Sequence, residues 1–171
     1  MRATLLAVCA VATLAGCTMA SSPARLAAQA TLAPTQGNAA NGTVVFSEHD
    51  GKVLVEGDIK DLTPGLHGFH IHEKGDCSAA DGTSAGGHFN PTGAQHGSPT
   101  SGAHHVGDMP MLIADANGRA KLHVELESLA LQGDTSIIGK AVIIHANADD
   151  FQTQPTGNSG GRVACGVIVA K

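Results

Sequence analysis

Histidine is concentrated in one part of the sequence, in a pattern suited to binding metal ions. Seven of the ten histidines lie between positions 67 and 105. His70 and His72 are two positions apart in a strand-like run, so both imidazoles leave the same face of a strand. Two rings on one face can bind one metal ion, although such a pair by itself is equally consistent with a structural role.

A second group combines three imidazoles with one carboxylate inside a long loop. The loop spans residues 74–107 and is polar and rich in glycine, and loops of this length are usually functional or disordered. The number of histidines favours function. Three nitrogen donors and one oxygen donor complete a closed tetrahedral zinc site. The candidates are His88, His96, His105 and Asp108.

His145 is the remaining candidate ligand. It ends the apolar run of residues 141–144, where a polar ring is otherwise unfavourable. The alternative is a histidine at the end of a strand that faces solvent.

The elements that must position these residues are predicted to be strands. Seven short runs have β-branched or alternating apolar residues, and no helical stretch of convincing length lies between them. They are residues 42–49, 52–60, 66–73, 109–115, 120–127, 139–145 and 163–170. The turn dipeptides Asp50-Gly51 and Asn117-Gly118 predict two hairpins, the first two runs forming one and the fourth and fifth the other. The pattern favours an all-β sandwich or barrel.

Composition agrees with a single β domain and excludes one class of partner. A chain of 171 residues has room for one domain, and 22 glycines with only 2% aromatic residues suit short strands joined by turns. The net charge of -5 argues against nucleic acid, which needs clustered lysine and arginine.

The N-terminus is predicted to direct export. Residues 1–16 form a signal peptide whose apolar run is too short to span a bilayer. Its end resembles a bacterial lipobox, in which Cys17 is lipidated and becomes the first residue of the mature chain. The alternative is an ordinary signal cut near Ala20. Residues 17–41 are expected to be a flexible tether, and residues 42–171 the folded domain.

Two cysteines remain in the exported domain, since Cys9 and Cys17 belong to the leader. An export signal with Cys77 and Cys165 left over predicts one disulfide. Two unrelated buried thiols are the alternative.

From about residue 41 to the end, the sequence resembles copper/zinc superoxide dismutases in the content, order and spacing of six motifs. The motifs are His70-Ile71-His72, residues 87–91, His96-Gly97, residues 105–108, His145 and residues 161–168. The resemblance implies an eight-stranded Greek-key β-barrel, sandwich-like, with two long functional loops. It also implies one copper and one zinc ion. Copper would be held by His70, His72, His88 and His145, and zinc by His88, His96, His105 and Asp108, so that His88 bridges the two ions.

Further roles follow from the same resemblance. Asp149 would accept hydrogen bonds from one copper ligand and one zinc ligand, the alternative being a solvated loop acid. Arg162 would dock superoxide, the alternative being a surface ion pair with Asp149 or Asp150. His88 would supply a proton when its bond to reduced copper is lost. His67 matches a structural position, and the His-Val-Gly-Asp pattern selects His105 over its neighbour His104.

The implied function is dismutation of superoxide to oxygen and hydrogen peroxide in the periplasm or at the cell surface, with membrane contact only through the lipid. Rival hypotheses are a non-enzymatic carrier of copper and zinc and a structural surface lipoprotein. The second loop, residues 146–161, contains no lysine, so weaker electrostatic steering than in strongly steered relatives is expected. The apolar residues 109–113 could be a homodimer face or part of the core.

Overall fold

The computed structural model describes residues 26–100 and 102–171. Within them lie nine strands and one short 3₁₀ turn at Thr83–Ala85. The strands are β1 (Ala27–Pro34), β2 (Asn41–His49), β3 (Lys52–Lys60), β4 (Gly65–His67), β5 (Phe69–His72), β6 (Leu112–Ala114), β7 (Ala120–Leu126), β8 (Ala141–His145) and β9 (Arg162–Ala170). The predicted all-β class is confirmed. No helix among the described residues is long and apolar enough to cross a membrane.

The strands form one large antiparallel sheet and one small one. The large sheet has the order β5-β8-β9-β1-β2-β3-β7, and β4 pairs with β6 in the small sheet. Buried side chains from both edges of the large sheet and from β6 belong to a single core, among them Val55, Phe69, Leu112, Ala120 and Ile168. Strands at opposite edges can share one core only if the sheet curls, which the right-handed twist of antiparallel strands favours.

The first predicted hairpin is confirmed. β2 and β3 pair from His49↔Lys52 to Asn41↔Lys60, with the turn at Asp50-Gly51. Both turn residues have positive φ, 49° for Asp50 and 79° for Gly51, as this tight turn requires.

The second predicted hairpin is wrong in its pairing. β6 pairs with β4 through Gly65↔Ala114 and His67↔Leu112 rather than with β7. The predicted turn itself is present, because the amide of Asp115 donates to the carbonyl of Arg119 at 2.8 Å. β6 ends directly before this turn, and its side chain Leu112 is buried in the core.

The expectation of a flexible tether over residues 17–41 is wrong for Ala27–Pro34. These residues form β1, which pairs with β2 on one side and β9 on the other. Its inward residues Ala28, Ala30 and Leu32 are buried in the core. Two of these three inward residues are alanines, which give only a weak hydrophobic alternation, and this explains the error. The signal peptide, Cys17 and the rest of the tether up to residue 25 lie outside the described residues.

The third predicted run, residues 66–73, is divided at Gly68 into β4 and β5. Gly68 donates its amide to the carbonyl of Asn147 at 2.7 Å and accepts from the amide of His145 at 2.9 Å. A Cβ here would collide with Ser159, so the second loop can approach this closely only because the residue is glycine. This division gives nine strands where the resemblance implies eight.

The apolar residues 109–113 are divided between the core and the surface. Met109 and Leu112 are buried in the core, whereas Ile113 is 69% exposed. Ile113 lies opposite Leu66, which is 45% exposed, across the β4–β6 pair. The two side chains form a small apolar surface on the outside of the domain.

The disulfide prediction is confirmed. Cys77 and Cys165 are bonded, with Cα atoms 5.8 Å apart and 88 positions between them in sequence. The bridge fixes the first long loop to β9. Around it, Ala85 and the β8 residues Ala141 and Ile143 form a second, smaller apolar cluster, so β8 is covered on both faces.

Candidate metal centre

Two groups of donor atoms lie side by side outside the main core. In each group the donor atoms lie within 4.8 Å of one another, and all the residues are buried. One group contains His70, His72, His88 and His145, and the other contains His88, His96, His105 and Asp108. His88 belongs to both groups. The structure thus brings together every metal ligand predicted from the sequence.

The β5–β8 pair positions the first group. His70 and His72 lie opposite Ile143 and Ala141, so their rings leave the face of the sheet that the first loop covers. His145 has the same parity as Ile143 and follows a bulge after Ile144. Opposite side chains on one face of an antiparallel pair are close neighbours, so three imidazoles meet at the end of two short strands.

The first loop brings His88 to these rings by pairing with β5. The amide of Ile71 donates to the carbonyl of Gly107 at 2.8 Å, and the amide of Phe89 donates to the carbonyl of Ile71 at 2.8 Å. His88 forms an isolated bridge with His72, and Asp108 forms one with His70. A loop of this length is therefore held in register like an additional strand.

Hydrogen bonds at one nitrogen leave the other nitrogen of two rings in the first group free to bind a metal. His72 Nδ1 donates to the carbonyl of Gly86 at 2.9 Å, and His145 Nδ1 donates to the carbonyl of Gly160 at 3.2 Å. Their Nε2 atoms face each other at 3.4 Å. Because a carbonyl accepts only, both Nδ1 atoms must carry the proton and both Nε2 atoms present lone pairs.

Asp108 is the centre of the second group. Its Oδ1 lies 2.8 Å from His88 Nδ1, 3.1 Å from His96 Nδ1 and 3.3 Å from His105 Nδ1. Its Oδ2 accepts from the amides of Gly97 at 3.1 Å and His105 at 2.8 Å. Three ring nitrogens directed at one carboxylate oxygen form a donor set for a small divalent cation.

Asp149 connects the two groups. Its Oδ2 accepts from His70 Nε2 at 2.6 Å, and its Oδ1 accepts from His96 Nε2 at 2.9 Å. Oδ1 also accepts from the amide of Phe151 at 2.7 Å. One buried carboxylate therefore orients one ring of each group, and the alternative of a solvated loop acid is wrong.

The donor sets fit copper and zinc. Three buried ring nitrogens of the described residues have no hydrogen-bond partner: His70 Nδ1 and His88 Nε2 in the first group, and His96 Nδ1 in the second. Buried polar atoms are normally paired, and a bound metal ion would satisfy them. Four imidazole nitrogens suit Cu(II), whereas three imidazoles with one carboxylate suit zinc.

Protonation differs between the two groups. Burial lowers the pKa of His70 to about 4 and that of His145 to about 3, and it also lowers the pKa of His72, so these rings are neutral at pH 7. Burial also acts to lower the pKa of His96, but Asp108 and Asp149 outweigh it and raise that pKa to about 9. Hydrogen bonds from the histidines hold the pKa of both carboxyls below the usual range despite their burial.

Arg162 lies at the start of β9, beside the first group. Its guanidinium donates to the carbonyls of Gly82 and Gly86, each at 2.6 Å. Together with burial and neighbouring imidazoles, its charge contributes to lowering the pKa of His72 and His145. The carboxylates of Asp149 and Asp150 are bonded elsewhere, so the alternative of an ion pair with them is not supported.

The other histidines lie outside both groups. His104 Nδ1 contacts the carbonyl of Gly102 at 3.1 Å. His67 is buried between the carbonyls of His145 at 2.7 Å and Thr63 at 2.8 Å, which is a structural position behind a ligand. His49 and His123 contact acidic residues on the exposed face of the sheet.

Sequence reasoning missed the groups that orient these ligands through the main chain. The carbonyl of Gly86 accepts from both His72 and Arg162, and that of Gly160 accepts from His145. A carbonyl has no signature in the residue type that carries it. Gln154, whose side chain bonds the backbone of His96, was also missed, because a glutamine in a polar loop is an unremarkable residue.

Comparisons with known proteins agree on one family. Residues 40–168 match the family model described as copper/zinc superoxide dismutase (SODC). The chain is similar to an extracellular superoxide dismutase [Cu-Zn] of Brugia pahangi, at 42% identity over 137 residues, covering 75% of this chain and 68% of the relative. It is similar to that of Onchocerca volvulus at 40% over 139 residues, covering 75% and 69%.

A solved structure is similar over most of its length. It is titled "Crystal Structure Analysis of the clock protein EA4" and is 40% identical, with a TM-score of 0.78. The match covers 87% of this chain and 97% of that chain. It therefore includes residues before position 40, where the family model begins.

Zinc binding is predicted to depend on pH more steeply than copper binding. A ligand must be deprotonated, and the raised pKa of His96 means that this ring loses a proton on binding zinc at pH 7. Apparent Zn²⁺ affinity should rise about tenfold per pH unit between about pH 6.5 and 8.5. Cu²⁺ affinity should rise less, because burial lowers the pKa of His70, His72 and His145 and keeps these three rings neutral. Competition titrations with a chelator, corrected for the protonation of the chelator, measure both slopes. A zinc slope no steeper than the copper slope would contradict the prediction.

Proposed function

Because the chain belongs to the copper/zinc superoxide dismutase family and converts superoxide to oxygen and hydrogen peroxide with copper and zinc, we propose specific roles for its residues. Copper binds to His70, His72, His88 and His145, and zinc binds to His88, His96, His105 and Asp108. The observation that carries this assignment is the position of His88, which belongs to both donor groups, with Nδ1 beside Asp108 and Nε2 buried without a hydrogen-bond partner. The same residues match the family motifs in order and spacing.

A copper ion held by these four histidines would supply one-electron redox chemistry, so that the electron given up by one superoxide can be passed to a second. The chain provides the ligand cage, a docking site for the anion and a route for protons. His88 is suited to carrying the proton. Its Nδ1 lies beside Asp108 in the zinc group, so the ring stays in place while Nε2 gains and loses a proton.

Asp149 is proposed to be a positioning residue for both metals. Its two oxygens accept from His70 and His96 on their Nε2 atoms, so each ring must present Nδ1 to its metal. A carboxylate that fixes the tautomer and orientation of a ligand typically changes metal affinity by about 10–100-fold.

Arg162 is proposed to dock superoxide beside copper. A guanidinium is always charged and offers several donors to a small anion. Its two bonds to the carbonyls of Gly82 and Gly86 hold it against the loop that the Cys77–Cys165 disulfide fixes to β9. Its placement beside His72 favours an enzyme over a metal carrier, which needs no site for an anion.

Export follows from the family relatives named as extracellular together with the leader sequence. The finer proposal is lipidation at Cys17 in the lipobox, which would anchor the mature domain at a membrane facing the periplasm or at the cell surface. Lipid chains contribute about 0.8 kcal/mol per buried methylene. Residues 18–26 would then connect the anchor to β1, which makes the tether shorter than residues 17–41.

A homodimer is proposed through the small apolar surface formed by Leu66 and Ile113. Both residues are exposed, they lie opposite each other, and β4–β6 is an edge pair. Two-fold association would cover both residues on each copy with the same residues of the other.

Replacing one proposed copper ligand tests the function directly. His145→Ala removes one of four nitrogen donors, so superoxide dismutation by copper- and zinc-loaded protein should fall at least about 100-fold while zinc stays bound. His49→Ala, on the exposed face of the sheet, is the control and should keep full activity. Equal rates for His145→Ala and the unaltered protein would contradict the proposal that copper bound at this site carries out the reaction.

Substitution of Arg162 tests docking and steering together. Arg162→Ala should lower kcat/KM about tenfold with unchanged metal content. Arg162→Lys should have a kcat/KM between those of Arg162→Ala and the unaltered enzyme, because lysine keeps the positive charge but lacks the paired N–H donors of the guanidinium. Lys121→Ala, on the exposed face of β7, is the control. Since the second loop lacks lysine, kcat/KM of the unaltered enzyme should fall only gently as salt rises. A steep fall with salt, or an unaffected Arg162→Ala, would overturn this interpretation.

Native mass spectrometry of the mature protein, released from membranes in detergent, tests the anchor and the dimer. The expected species is a dimer of chains that begin at Cys17 and carry covalent lipid. Ile113→Lys should shift it to monomer by placing two like charges at the contact. Unlipidated chains cut near Ala20 would rule out the anchor, and a monomer of the unaltered sequence would rule out the dimer.

A further inference from the structure

The side chain of Gln154 bonds both main-chain polar groups of His96. Its Oε1 accepts from the amide of His96 at 2.9 Å, and its Nε2 donates to the carbonyl of His96 at 2.9 Å. The second hydrogen of Nε2 reaches the carbonyl of Gln152 at 3.2 Å. An amide that pairs with the N–H and the C=O of one residue holds that residue as a neighbouring strand would.

The segment that carries Gln154 is itself rigidly built. Asp150 donates its amide to the carbonyl of Gly157 at 2.9 Å, and Gly157 donates to the carbonyl of Thr153 at 2.7 Å. The Asp150 carboxylate accepts from the amides of Gln152 and Thr153 and from the Thr153 hydroxyl. Residues 149–157 therefore form a compact unit that can hold two side chains at a fixed separation.

Two side chains of this unit form hydrogen bonds to different parts of His96. Asp149 accepts from Nε2 of the ring, and Gln154, five positions later, bonds the backbone. The hydrogen bond between the His96 ring and Asp149 fixes the direction of Nδ1 only when the Cα of His96 is also held in place. His96 lies in a loop, outside the strands, and both of its main-chain polar groups are bonded by the side chain of Gln154.

We propose that Gln154 is a positioning residue for the zinc site, which holds the main chain of His96 so that Nδ1 is directed at the other zinc ligands. This inference rests on the proposed function, because it takes His96 as a zinc ligand. It assigns to the second loop a role in zinc binding in addition to the contact made by Asp149. The loop then links the two sites, since Asp149 also holds His70 of the copper group.

The position of Gln154 makes the proposal testable without disturbing the core. The residue is exposed on its outer side, so replacement by alanine removes the two bonds to His96 without opening a buried cavity. Gln154→Glu keeps an acceptor for the amide of His96 but turns a second oxygen toward the carbonyls of His96 and Gln152. Gln152 is a matched control, because it is an exposed glutamine of the same loop that contributes only its backbone to this network.

The test compares Zn²⁺ affinity by chelator competition in the oxidised, full domain carrying Gln154→Ala, Gln154→Glu or Gln152→Ala. Zn²⁺ affinity should fall about tenfold in Gln154→Ala and at least as much in Gln154→Glu, as is typical when a group that orients a ligand is removed. Gln152→Ala should bind zinc like the unaltered protein. Cu²⁺ affinity should change less than about twofold in all three.

The absorption spectrum of Co²⁺ bound in the zinc site supplies a readout that general destabilisation would not move. Its visible bands report the ligand geometry, so they should change in both Gln154 variants and not in Gln152→Ala. Unchanged Zn²⁺ affinity and an unchanged Co²⁺ spectrum in Gln154→Ala would overturn the inference.

Failure of the proposed function would look different. If His96→Ala bound Zn²⁺ as tightly as the unaltered protein, His96 would not be a zinc ligand at all. If His96→Ala lost zinc while Gln154→Ala kept it, only the role of Gln154 would be wrong. Thermal unfolding of each variant identifies any loss of fold, and Gln154→Glu, which is close in size to the original residue, keeps the test available if the alanine variant is unstable.

Discussion

The buried ring of His88, with a donor nitrogen on each side, is the constraint on which the rest of the structure depends. The ring belongs to both donor groups, with Nδ1 beside Asp108 and His105 and with Nε2 buried without a hydrogen-bond partner. Burying so many polar groups is unfavourable unless each finds a partner. Copper and zinc would supply those partners, and in the proposed assignment both ions share the ring of His88. Under this proposal, the family activity depends on holding the side chain of His88 at a fixed place between the two donor groups.

The fold serves that constraint from three directions. The short β5–β8 pair holds three rings at one end of the sheet. The first long loop adds His88 and the zinc ligands by pairing with β5, and the disulfide fixes this loop to β9. The second loop closes the site through Asp149 and Gln154. Each long loop is thus held in place by its bonds to the site, which explains how two long, polar loops adopt a defined conformation.

The two donor groups could be predicted from sequence because their chemistry is carried by residue type and by the period of two along a strand. The spacing of His70 and His72 gives the shared direction of their rings, and the end of an apolar run marks His145. β1 was missed because its inward side chains are mostly alanine, and the partner of β6 was missed because pairing with β4 joins segments distant in sequence. Main-chain acceptors such as Gly86 leave no trace in residue type.

The central claim is most directly tested by a crystal structure of the metal-loaded protein with anomalous diffraction recorded at the copper and zinc absorption edges. The account predicts two different ions, zinc within about 2.0–2.1 Å of Nδ1 and copper at a bonding distance from Nε2 of the same ring, that of His88. A structure in which His88 contacts only one of the ions, or in which one element occupies both positions in protein loaded with both, would contradict it.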